Sequence, residues 1–187
     1  VGIRPVFGVV AALALAVGCT NSVNGAGQAA GSGGAAAPQW PAGVVHKEIS
    51  SRNHTTAHVS YPDSPPVGGN HNPIWADCTG TVYPRPVANE NAVHSLEHGA
   101  VWITYRPGLD AAGISALRSL VQGQDYTFMS PYPGLDHGVS VQSWSYQLKT
   151  DDPNDARIKR FVTTYRQNPQ TTPEPGASCV NPNFPTS

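Results

Sequence analysis

The chain has 187 residues, with 11 basic and 12 acidic side chains and a formal net charge of −1 at pH 7. It carries no Lys/Arg run and no excess of positive charge, which excludes the phosphate-neutralising surface that nucleic-acid binding requires. Seven histidines and three cysteines are the residue types whose placement carries chemistry.

Residues 1–18 read as a signal peptide. Arg4 supplies positive charge, and the apolar run from Val6 to Val17 is too short for a membrane span. The run ends in Ala16-Val17-Gly18-Cys19, small residues before a cysteine that resemble a bacterial lipobox, with Ala16 standing where that pattern usually has leucine. Cleavage before Cys19 with lipid on its sulfur would anchor the protein to the outer face of the cytoplasmic membrane, in the cell envelope. Ordinary secretion with cleavage elsewhere is the alternative. Residues 19–43, rich in Gly, Ala and Ser and almost free of charge, read as a flexible tether.

An odd cysteine in an exported protein needs an explanation. If Cys19 is lipidated, Cys78 and Cys179 remain and are expected to form a disulfide. The loop it closes, about 100 residues, is worth at most roughly 4–5 kcal/mol. The alternative is a Cys78 thiolate in a metal site. Residues 44–187, roughly 140 in number, suit one globular domain with one core.

Within that domain, Ala57 to Tyr61 alternates and predicts a short strand with His58 and Ser60 on one face. Residues 62–73 are turn-rich and carry His71, and a second irregular stretch, 76–86, carries Cys78. Residues 89–98 predict a helix capped by Asn89 and closed by Gly99. Its spacing puts Ala92, Val93 and Leu96 on one side and Asn91, His94 and His98 on another, with Glu97 at the boundary. Residues 100–105 predict a strand stopped by Pro107, residues 111–121 an amphipathic helix, and residues 126–129 another strand. A long strand is expected over 139–148, then a last helix from Pro153 carrying Ile158, Phe161, Val162 and Tyr165. This order predicts an α+β fold: a single small domain with a mixed sheet of about four strands, two to three helices and one disulfide. Strand 100–105, its helix and strand 126–129 could form a parallel crossover.

His94 and His98 lie one helical turn apart, a spacing that lets two imidazoles chelate one ion. His71 is the best third ligand, and His54 or His58 the fourth. Those last two cannot both serve one ion from a regular strand, because four strand residues span about 13 Å. Glu97 would orient a ring through its N–H. The cofactor expected is copper or zinc, which imidazole suits equally. The bland alternative is a cluster of hydrogen-bonded structural histidines. His94-Ser95-Leu96-Glu97-His98 also matches the inverted zinc-peptidase pattern H-x-x-E-H, with Glu97 as the catalytic base that activates water. That reading needs a further acidic ligand, and the only later glutamate, Glu174, sits among prolines where no helix interior can form. Met129, the only methionine, offers a thioether suited to Cu(I), although a strand methionine is usually core packing. His137 falls in a turn and is expected to be solvated.

Three stretches carry a family resemblance: 65–71 with its Gly-Gly-Asn-His, 91–101 with His-Ser-Leu-Glu-His-Gly, and Tyr105-Arg106-Pro107. With Ser130 to Leu135, Trp144 and the Pro173-Glu174-Pro175-Gly176 to Cys179 tail, they make residues 54–179 similar to domain of unknown function 3105. The resemblance implies a bacterial membrane-anchored or exported protein, and it singles out His71, His94, Glu97 and His98, with His58. It implies no activity. The function expected is therefore a lipid-anchored envelope protein whose histidines bind copper or zinc. Its partners are the membrane, through Cys19, and the ion. Alternatives are a zinc hydrolase and a tethered, non-catalytic interaction module.

Overall fold

The structure is a computed structural model that describes residues 1–2 and 40–186. The described fold belongs to one unit, Pro38–Ser187. The expected signal peptide, Cys19 and most of the tether lie outside the described residues. No described helix is long and apolar enough to cross a membrane.

Among its described residues are six strands and three helices: β1 (Val45–His46), β2 (Thr79–Val82), α1 (Asn89–Glu97), β3 (Val101–Tyr105), α2 (Ala111–Ser119), β4 (Thr127–Pro131), β5 (Val139–Ser143), β6 (Tyr146–Thr150) and α3 (Ala156–Tyr165). The strands form one mixed sheet in the order β1-β6-β5-β3-β4-β2. β3 pairs in parallel with β4 and antiparallel with β5, so the expected parallel neighbours are adjacent.

The sheet has more strands than the sequence predicts, for identifiable reasons. β1 is two residues long and β2 is interrupted by a register shift, so neither shows a hydrophobic period. The long strand expected over 139–148 is a hairpin: β5 and β6 pair antiparallel around a turn at Trp144 and Ser145. Ser145 adopts a positive φ of 67° without being glycine. Its N–H donates to the Val67 carbonyl and its carbonyl accepts from the Lys47 N–H, so neighbouring segments hold the turn that its own sequence does not announce. The strand expected at Ala57 to Tyr61 does not form.

Side-chain alternation fills both faces of the sheet. Val101, Ile103 and Met129 pack with Leu117, Ile158 and Phe161, from α2 and α3. Trp102 and Phe128 point the other way and pack with Ala92, Val93 and Leu96 of α1. Met129 is therefore core, fully buried and away from the histidines.

The ends of α1 decide where its imidazoles sit. Asn89 is its first residue rather than its cap; Ala88 holds the cap position with no side-chain bond, and Glu90 supplies negative charge in the first turn. At the other end Gly99 takes φ 93°, with Gly99 N–H donating to Leu96 O and Ala100 N–H to Ser95 O. That paired closure favours glycine, and it turns the chain straight into β3.

Candidate metal-binding site

Three segments without regular structure of their own converge on the polar side of α1. The loop 71–76 is stitched to the helix almost residue by residue. Asn72 N–H donates to Glu90 O, Ala76 N–H to Asn91 O, Asn91 Nδ2 to Ile74 O, and Ser95 Oγ to Ala76 O. Residue 54 joins through an isolated parallel bridge to residue 71, with Thr55 N–H donating to His71 O and His71 N–H to Asn53 O. The C-terminal tail is pinned by the Cys78–Cys179 disulfide. Cys78 N–H also donates to Cys179 O, and Asn181 bonds Asp77 and the Trp75 carbonyl. Glu174 N–H donates to Glu97 O, which lays the tail against the end of α1.

These ties bring His54, His71, His94 and Glu97 together, one ligand atom from each lying within 4.8 Å of all the others. The rings of His54, His71 and His94 have centroids 4.8 to 5.0 Å apart. His71 is completely buried and Glu97 is 2% exposed, whereas His54 lies at the surface. Donor atoms held at about 2.0–2.2 Å around a tetrahedral ion sit about 3.3–3.6 Å apart, so the widest pair of this group has to close by somewhat over about 1 Å.

The tautomers follow from hydrogen bonding. His71 Nδ1 lies 2.8 Å from Gly69 O, His94 Nδ1 2.7 Å from Asn72 O, and His98 Nδ1 2.7 Å from Ser178 O. A carbonyl only accepts, so each Nδ1 carries a proton and each neutral ring keeps its lone pair on Nε2. Gly69, at φ 116°, can present its carbonyl this way because it has no side chain. His71 Nε2 then faces Glu97 Oε2 at 2.9 Å. In a neutral ring that is an acceptor against an acceptor, and Nε2 is left with no hydrogen-bond partner. The contact requires a cation between the two atoms, either a second proton or a metal.

The protonation states agree. Burial alone would push the His71 imidazole down, yet Glu97 outweighs it and its pKa is raised. Burial would raise the Glu97 carboxyl, but His71 and Arg52 hold it below the usual range. Burial, helped by the neighbouring imidazoles and opposed by the Asn72 bond, pushes His94 down to about 4. Burial likewise lowers His98, against its Ser178 bond and the nearby carboxylates. Arg52 Nη1 reaches Glu97 Oε1 at 3.3 Å and Glu174 Oε1 at 3.8 Å. Arg52 also borders a cavity of about 300 Å³ with Ile49, Trp144 and Pro173.

Of the residues singled out in the sequence, His71, His94 and Glu97 share one group. His98 lies beside it, its ring edge-on to His94 at 4.5 Å. His58 lies elsewhere: its side chain is 87% exposed and pairs with Glu90 at 2.9 Å. His54 takes the place open to either of the two. Backbone carbonyls orient the rings through their Nδ1–H groups, and Glu97 faces Nε2 of His71, from which it accepts a hydrogen bond when that ring carries its second proton. Arg52 is an addition, and Glu174, weighed from the sequence only as the acidic ligand of the hydrolase reading, is brought here by the disulfide-fixed tail. The ring of Trp75 walls the group at 5.6 Å from His94 and 5.1 Å from His98. His137 is 40% exposed and sits by Asp136, in the turn before β5.

The family described as Protein of unknown function (DUF3105) matches residues 53–181, a span that contains every member of this group. No curated protein and no solved structure matches the chain.

Proposed function

The chain belongs to the DUF3105 family, and from its site we propose that it binds one transition-metal ion, zinc or copper, between His54, His71, His94 and Glu97. It would hold or deliver that ion from a lipid anchor on Cys19, at the outer face of the cytoplasmic membrane. One observation carries the reading: buried rings whose Nδ1–H groups are spent on backbone carbonyls while their Nε2 lone pairs converge with a carboxylate. Metal-bound histidines are oriented in this way, the other ring nitrogen donating to a carbonyl or carboxylate. Three nitrogens and one carboxylate oxygen suit zinc and copper(II). Cu(I) is less suited, because both described cysteines are in a disulfide and Met129 is in the core.

The geometry favours binding over hydrolysis. The H-x-x-E-H mechanism puts both histidines of the motif on the metal and keeps the glutamate off it as base. Here Glu97 lies among the donors and His98 outside them. The test is metal content and affinity of the full chain in detergent, beside His71→Ala and His94→Ala variants checked for fold by circular dichroism. Stoichiometric zinc or copper, lost from folded variants, supports the reading. A folded wild type with no saturable binding of either ion overturns it and leaves the histidines as architecture.

A further inference from the structure

A fourth imidazole sits just outside the cage with its orientation fixed in the same way. His98 donates Nδ1–H to Ser178 O, and its Nε2 faces Glu174 Oε2 at 3.9 Å. The Ser178 bond alone fixes the ring, yet the other nitrogen also faces a carboxylate, the one that Arg52 pairs with through its second oxygen. We propose that His98 and Glu174 form a second, weaker metal position through which zinc or copper(II) enters and leaves the inner cage, a role that rests on the cage itself binding metal.

Two atoms bonded to one such ion at about 2.0–2.2 Å with tetrahedral angles lie about 3.3–3.6 Å apart, so this pair takes an ion after the half-exposed Glu174 closes by about half an ångström. The ring of His98 meets that of His94 at 4.5 Å, which makes His94 the ligand the two positions can share. The inner side of the cage is closed, with His71 fully buried and Glu97 2% exposed, and its surface side is covered by the single ring of His54, so exchange past His94 and His98 is a second way out. Glu174 is 46% exposed. An ion held by His98 and Glu174 keeps positions open for water or for an incoming ligand. Moving outward, it exchanges donors one at a time, and no step leaves it bare in a buried space. Arg52 lies between the two carboxylates and spaces their charge when both positions are empty.

A path of this kind lowers the barrier in both directions and leaves the equilibrium alone. The experiment loads the full chain with one equivalent of Zn²⁺ and follows its transfer to a fixed excess of a pyridylazo chelator by stopped flow. Wild type is compared with His98→Ala and with Glu174→Gln, a surface change that leaves the packing intact. Expected is a fall of about tenfold in the rates of both transfer and uptake for each variant, with Kd moved less than about threefold. A Kd weakened about tenfold or more makes His98 a cage ligand and overturns the proposal; unchanged rates overturn it as well. A wild type that holds no zinc fails differently, because it removes the cage before any rate is read.

Discussion

The two faces of the sheet have different interiors. Against α2 and α3 the core is Ile103, Leu117, Met129, Ile158 and Phe161, nearly all from regular strands and helices. Against α1 an apolar layer around Trp102 and Leu96 is followed by a polar one, in which imidazoles and carboxylates are delivered by loops and a tail. Apolar packing needs only the right period and volume. A buried polar layer needs every donor matched to an acceptor, which this chain achieves with long-range ties between segments that have no period. The first face supplies stability, and the second holds a cluster that is strained without a cation.

The largest effect should come from cutting the tie that holds the tail. Cys179→Ser removes a cross-link between residues 101 apart, at a cost of up to about 4–5 kcal/mol in urea unfolding. It also frees Ser178 and Glu174, so zinc transfer should slow even in protein that remains folded. Phe161→Ala, on the opposite face, should cost about 3–5 kcal/mol through the cavity it leaves. Zinc affinity of the folded Phe161→Ala protein should stay as it was. An affinity that falls with it would show that the two faces are not independent.

Acid separates the faces further, because only the α1 face carries buried imidazoles. His94 has a folded pKa of about 4 against an ordinary 6.5. The unfolded chain therefore binds more protons between those values, and metal-free stability rises with pH across that window, by about 3 kcal/mol for His94 alone. His98 adds in the same direction. His71 has the opposite sign: its pKa is raised, so its contribution is complete below 6.5 and is lost as pH climbs through the higher folded value. Metal-free protein should thus be most stable near pH 6.5, the ordinary histidine value. Bound zinc should flatten the alkaline side by replacing the His71 proton. A monotonic urea-midpoint profile from pH 4 to 9 in chelator would contradict these protonation states.

The sequence makes one face far more legible than the other. α2, α3, β3 and β4 follow from spacing, because a helix or strand that buries one side must repeat. The β5–β6 hairpin reads as one strand because alternation survives across it and its turn contains neither glycine nor proline. In the site, His94 and Glu97 come from a helix that the sequence shows, and His71 from a loop marked by its glycines. Glu174 and Arg52 do not. Each reaches the site through a non-local contact, Glu174 by the disulfide-tied tail and Arg52 by the bridge beside His54.

The smallest effect, and the finest test, is the choice between His54 and His58. The two are four residues apart, and alternation points to His58, on a strand that does not form. The structure instead pairs residue 54 with residue 71 by backbone, putting the His54 ring 4.8 Å from His94 while His58 turns outward to Glu90. His54→Ala removes an exposed ligand that must still close onto the ion, so it should weaken zinc binding by about tenfold, near 1.4 kcal/mol, with little change in metal-free stability. His58→Ala, which gives up only a surface ion pair, should shift both affinity and stability by under about 0.5 kcal/mol. Competition titrations of the two variants side by side would read this directly. If His58→Ala weakens binding and His54→Ala does not, the loop before His71 moves when metal enters, and the cage is built on binding rather than beforehand.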